Sequence, residues 1–305
     1  MQSSLNVAAI NDTQRKPQPV TLPVRLWRAW WRNSTLAINL SLLLLIGLIG
    51  AVLLADVLAP HDPTGMNLRA RLKPPVFVSD AALPEFPLGT DAIGRDLLSR
   101  ILYGGQVSLL VGGVATTLGL LLGTFSGLIS GYVGGWLDEI IMYLVDVQLS
   151  LPFLLLAVAV ALVLGTTLPV LIGLAALATW PIYARVVRGS VLSVRERDYV
   201  LAARAAGATD RHIILRHLLP NLLAPVLVLA TLSVGRIILL ESGLSFLGIG
   251  IQPPTPSWGN MISEGREYLS TAWWLSTMPG IALVLLTMAV GTIGDWLRDV
   301  MDVRV

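Results

Sequence analysis

Apolar blocks about twenty residues long recur along the chain, and they constrain its fold more than any other feature. A helix needs that length to cross a hydrocarbon core of roughly 30 Å. Six blocks qualify, at about 37–58, 107–132, 138–163, 168–188, 221–242 and 278–297. The third and fourth are separated only around Gly165 to Leu168, where Gly165-Thr166-Thr167 and Pro169 supply the break signals. The expected fold class is an all-α membrane protein with six transmembrane helices. Composition agrees, since 13% of the 305 residues are charged against about 25% in soluble chains. A net charge of +2 gives no argument for a nucleic-acid partner, and the lack of cysteine excludes disulfides, thiol catalysis and cysteine-ligated metals.

The chain divides into an N-terminal tail (1–34), a first transmembrane helix (35–58), an external loop (59–106), a core (107–297) and a C-terminal tail (298–305). Residues 1–24 are polar, carry Pro17 and Pro19, and do not read as a secretory signal. They are expected to be a disordered cytoplasmic tail. Trp27, Trp30 and Trp31, beside Arg25, Arg28 and Arg32, suit the membrane interface. Basic residues set the orientation. The N-terminal tail, the segment between spans four and five (Arg185 to Arg216) and the C-terminal tail fall on one side and hold most of them. That side is expected to be the cytoplasm.

Span two carries Ala115, Gly119, Gly123, Gly127 and Gly131 at a spacing of four, hence on one helix face. Small residues let helices approach closely in lipid. The spacing does not distinguish packing inside one subunit from contact between subunits.

The most informative stretch is 195–221, RERDYVLAARAAGATDRHIILRHLLPN, which is too polar to span. It reads as an Ala-rich helix to about Ala206, a break at Gly207, and a second helix starting near Thr209 or Asp210. Gly tolerates the left-handed conformation that ends a helix, and Thr or Asp supplies an N-cap oxygen. Pro220 suits a first turn, here the start of span five. The resulting knuckle, with its small face of Ala202, Ala203 and Ala206, is either a docking element for another protein or an interfacial helix lying on the membrane.

This segment resembles the coupling loop of ABC-importer permeases. That pattern is Glu-Ala-Ala, three residues, Gly, nine residues, a usually apolar residue, one more, then Leu-Pro. Here Leu201-Ala202-Ala203, Gly207, His217 and Leu219-Pro220 keep the spacing, with Leu201 in place of Glu and His217 in place of the usual Ile. LGTDAIGRDLLSRILYGGQVSL (88–109), ESGLSFLGIGIQPPTPSWGN (241–260) and GDWLRDVMD (294–302) are similar to segments of the C-type permeases of the dipeptide, oligopeptide and nickel group. Gln106 stands where that group usually has Arg, and Val303 replaces a frequent Pro.

The resemblance implies the type I ABC-importer permease fold and ATP-driven import. It also implies a homologous second permease subunit, two ABC ATPase subunits that bind ATP and Mg, an extracytoplasmic solute-binding protein, and a bacterial inner membrane with both termini cytoplasmic. The outer loops, 59–106 and 243–277, would meet the binding protein and the second permease. Peptides are the favoured solute, because the 241–260 block looks most like peptide permeases. The chain itself has no Walker loop: its two lysines, Lys16 and Lys73, follow Arg15 and Leu72 rather than Gly.

Polar residues inside spans are functional candidates. Asp146 and Gln148 lie near one end of span three, ahead of Ser150 and a kinking Pro152. Arg236 lies in the outer half of span five and Glu241 at its outer boundary, about 140° apart around the helix. All four are candidates for the translocation pathway or a subunit contact; for Arg236 the alternative is snorkelling to headgroups. Trp180-Pro181 reads as a packed kink in span four. Two rival functions remain. A stand-alone secondary transporter would need midplane ion sites and inverted repeats, and neither is evident. An intramembrane hydrolase would need ligands that the three histidines, all outside the spans, do not supply. Ser245 in GLSFLG lacks the second Gly of a nucleophile elbow and reads as part of a helix end.

Overall fold

The computed structural model describes residues 35–301. The N-terminal tail, with its interfacial tryptophans and arginines, and residues 302–305 lie outside the described residues. Among the described residues the chain is helical, without strands. Helices are what hydrocarbon permits, because each satisfies its own backbone donors and acceptors where no water can.

Helix α1 (Leu36–Leu53) starts at Thr35, whose hydroxyl accepts the Ile38 N–H at 3.4 Å. It buries only Ile38 and Val52, and turns Leu36, Leu40 and Leu43 outward. The chain breaks at Leu54 before the short α2 (Ala55–Leu58), so the block 37–58 is two helices.

Helix α3 (Leu97–Val133) starts at Leu97 rather than near residue 107. The reason is local: the Asp96 carboxylate accepts the Ser99 N–H at 2.9 Å and caps the helix. At 37 residues, it is about 55 Å long and overshoots a bilayer core.

The third expected span is a broken pair, α4 (Gly135–Ser150) and α5 (Phe153–Leu164), bent by 92°. Pro152 supplies no donor and forces its predecessor out of the helical region; Leu151 sits at φ −84°, ψ 134°. The kink expected from Pro152 is thus a full break.

Helix α6 (Leu168–Arg195) extends beyond the predicted end at 188. It leads into α7 (Asp198–Ala205) and α8 (Asp210–Ile213). A π-turn at Ile214–Leu218 joins α8 to α9 (Leu219–Phe246), making one continuous helix from Asp210 to Phe246. Pro220 stands in the first turn of α9, as the sequence suggests, but no break precedes that helix. It sits just past a register shift in which the Leu219 N–H reaches back to the Ile214 carbonyl. Helix α10 (Trp258–Gly265), in the loop 243–277, and α11 (Trp274–Met301) complete the chain.

The small-residue stripe is settled as internal packing. A Cβ on Gly119 would lie 2.2 Å from the Thr179 hydroxyl oxygen, one on Gly123 2.4 Å from the Tyr183 Cβ, and one on Gly127 2.4 Å from the Ala184 carbonyl oxygen. Helix α6 fills the groove that these glycines leave, at backbone distance. Helix α9 occupies the centre and packs on α3, α6, α10 and α11, while α1 leans on α11.

Candidate functional site

The knuckle is built from short-range signals. Helix α7 ends at Ala206, and Gly207 follows at φ +82°. The Gly207 N–H donates to the Arg204 carbonyl and the Ala208 N–H to the Ala203 carbonyl, both at 3.0 Å. These two bonds form a Schellman ending, which needs a left-handed residue at Gly207. Thr209 then caps α8, its hydroxyl accepting the His212 N–H at 3.4 Å.

Tertiary packing decides which face of the knuckle is free. Val200, Ile213 and Leu218 are fully buried, joined by Leu222 and by Val187, Val191 and Val194 of α6. Leu120, Leu128 and Tyr132 of α3 pack on this cluster. Tyr132 donates its hydroxyl to Asp210. Arg188 grips Asp138 with two bonds of 2.6 Å, and Arg195 donates to the Gly131 carbonyl at 2.8 Å. A push on the knuckle therefore reaches α3, α6 and α9 directly.

The outward face carries the residues singled out by the motif. Leu201, Ala202, Gly207 and Pro220 are exposed, Ala203, His217 and Leu219 half-buried. Leu201, where the family pattern has an acid, presents an apolar side chain. His217 lies between Tyr199, tilted to it, and His212, edge-on to it, with ring centroids 5.7 and 5.8 Å away. The surroundings are basic: Arg197, Arg211 and Arg216 are exposed and form no ion pair among the described residues.

The span residues part company. Asp146 pairs with Arg185 at 2.6 Å on an exposed face. Gln148 accepts the Trp180 indole N–H at 2.6 Å and donates to the Leu177 carbonyl. These two residues tie the end of α4 to α6, and Trp180 acts as a hydrogen-bonding partner as well as packing beside Pro181. Glu241 is fully buried; the Ser245 hydroxyl donates to it at 2.7 Å and the Ser108 hydroxyl at 3.2 Å. Arg236 is exposed on the same helix and does not meet it. GLSFLG ends α9, with Leu247 as C-cap and Gly248 at φ +79°, the helix end that the sequence suggests.

At the end opposite the knuckle lies a constellation of charged side chains drawn from the segment before α3, from α3 itself and from α10. Asp91 pairs with Arg95 at 2.5 Å and with Arg100. Glu264 binds Arg95 at 3.1 Å and Arg100 at 2.9 Å. Burial would raise the Asp91 carboxyl, but Arg100, the Arg95 backbone N–H and the Arg95 guanidinium hold it below the usual carboxylate range. This clamp fastens the segment before α3 to α10. Trp258, capped by the reciprocal Ser257–Asn260 bonds, donates to the Ile101 carbonyl at 2.8 Å. A cavity of about 440 Å³ opens beside the clamp, with Arg266 and Glu267 also on its wall. The signal available in sequence was the Asp91-x-x-x-Arg95 spacing in a segment dense with charges.

Comparison with known proteins places this geometry. Residues 115–305 match the family model described as binding-protein-dependent transport system inner membrane component. The chain is 37% identical over 302 residues to the di/tripeptide transport system permease protein DppC of Pseudomonas aeruginosa, covering 99% of this chain and 98% of that one. It is 39% identical over 293 residues to the dipeptide transport system permease protein DppC of Haemophilus influenzae, covering 96% and 98%. Among solved structures, an inward-facing MetNI methionine ABC transporter matches at TM-score 0.54 and 21% identity, covering 66% of this chain and 95% of that chain. That likeness concerns the fold.

Proposed function

We propose, from the premise that this chain belongs to the family of binding-protein-dependent transport system inner membrane components, that it forms half of the translocation pathway of an ATP-driven peptide importer. The stand-alone secondary transporter is set aside, since the relatives are permease components of transport systems. Peptide is the proposed solute because the relatives are named for dipeptides and tripeptides.

One observation carries the coupling role. The knuckle keeps the motif spacing from Leu201 to Pro220, presents Leu201, Ala202 and Gly207 outward, and is rooted through Val200, Ile213 and Leu218 in three spans. An element free on one face and fixed to several helices on the other converts a partner's movement into rearrangement of the bundle. The partner is an ABC ATPase, two copies of which bind ATP and Mg and close against this chain and a homologous second permease. The knuckle then lies in the cytoplasm with both termini. The clamp, its cavity and the loops 59–106 and 243–277 face the solute-binding protein. Asp146 and Gln148 brace the broken third span, and Arg236 opens toward the pathway.

The test is purification of this chain from its native membrane with its co-purifying subunits. A second permease and a Walker-containing ATPase should be recovered, and ATPase stimulation should vanish when 201–220 is disrupted. A lone chain or homo-oligomer without ATPase activity overturns the reading.

A further inference from the structure

Arg236 is a cation inside a span that forms no ion pair among the described residues. Its neighbours Gly235, Ile237 and Ile238 are buried, while Arg236 itself is exposed. Two contacts locate it. One turn below, Leu232 meets α11, where a Cβ on Gly294 would lie 2.6 Å from the Leu232 Cδ2. On the other side, Tyr183 of α6, whose hydroxyl is buried without a hydrogen-bond partner, lies within electrostatic reach of Arg236. Arg236 thus emerges in the crease between α6 and α11, on the central helix of the bundle.

No carboxylate among the described residues pairs with it. Asp146 is taken by Arg185 and Asp138 by Arg188. Glu241, five residues along the same helix, is enclosed by serine hydroxyls. A guanidinium stays charged at any physiological pH, and a charge at membrane depth faces a cavity or an anion rather than lipid tails. The lipid-like surface of this molecule looks different: α1, bare on most of its circumference, contains no charged residue between Leu36 and Leu53.

We propose that Arg236 receives the C-terminal carboxylate of the peptide during passage and makes this permease, not only its binding protein, selective for a free carboxylate. The inference rests on the peptide-importer reading above. A guanidinium matches a carboxylate with two parallel N–H···O bonds, a geometry that lysine offers only as a point charge.

The experiment uses the assembled transporter in proteoliposomes, with its binding protein saturated by a dipeptide or by the same dipeptide with an amidated C-terminus. Arg236→Ala should lower the saturated import rate of the free-carboxylate peptide by about tenfold or more, the loss expected of a charged hydrogen bond. The amide should be affected far less, so that the two rates converge. Arg236→Lys should recover part of the loss. Half-saturation by the binding protein should not move. Unchanged import by Arg236→Ala overturns the proposal and leaves a snorkelling side chain. Loss of the second permease from the Arg236→Ala complex also overturns it, making Arg236 a subunit contact. Failure of the wild-type vesicles to import any peptide is a separate result: it removes the peptide reading itself, and this inference with it.

Discussion

The two ends of this molecule use charge in opposite ways. At the clamp, Asp91, Arg95 and Arg100 are buried and held by one another and by Glu264. At the knuckle, Arg197, Arg211 and Arg216 stand exposed with no ion pair among the described residues, around an apolar centre of Leu201 and Leu215. The clamp has consumed its electrostatic capacity inside the fold, whereas the knuckle retains it for a second protein. A buried ion pair is costly to break from one side; an exposed cation is cheap to hold and available to a partner. Rigidity belongs to the first arrangement and docking to the second.

Breaking the clamp should give the largest effect. Arg100→Ala leaves Arg95 alone to answer both Asp91 and Glu264, and loss of one partner of a buried pair costs up to about 3–5 kcal/mol; thermal unfolding in detergent should fall accordingly. Between the two ends, Gly127→Leu forces a side chain into the α6 backbone. Overpacking of this kind costs about 1–3 kcal/mol, and the same unfolding assay should show it. At the knuckle the stability effect should shrink while the functional effect grows. Gly207→Val places a β-branched residue at φ +82°, a strain of about 1–2 kcal/mol, yet ATPase stimulation by the loaded binding protein should be lost in a complex that still assembles.

Acid should discriminate the ends as well. The Asp91 carboxyl is depressed in the folded state, so its contribution is fully present above the ordinary value of 3.8 and fades as pH falls through the lower folded value. Asp91→Asn should flatten the stability profile in that acid range. The smallest stability change belongs to Arg211→Glu with Arg216→Glu. Surface substitutions stay within about 0.5 kcal/mol, but co-purification of the ATPase should weaken if these cations face an acidic rim. Unaltered recovery of the ATPase would erase the proposed contrast between the two ends.

Much of this was legible in the chain itself. The knuckle was, because Gly207, Thr209 and the Ala-rich run act over four or five residues, and capping is a local event. The helix end at GLSFLG was legible for the same reason. The start of α3 was not, because hydropathy marks the lipid-facing part of a helix and is silent about ten further residues held by the Asp96 cap. Pro152 announced a disturbance, but its angle of 92° depends on Gln148 and Asp146 anchoring α4 to α6. Pro220 marks the first turn of α9, but not that the π-turn before it carries the helix on from Asp210 without a break, because a π-turn can absorb a missing donor.

Sequence alone determined that the chain crosses a membrane, that its spans are helices, and where the solvent-directed knuckle lies, since hydrophobic length and turn chemistry are properties of contiguous residues. Tertiary structure alone decided that the glycine stripe faces α6 within this subunit, that Glu241 is enclosed while Arg236 is open, and that Arg95 and Arg100 join Asp91 to Glu264 from far along the chain. Those outcomes depend on which surfaces are brought together across the bundle, and a charge or a glycine carries no local mark of the neighbour it will meet.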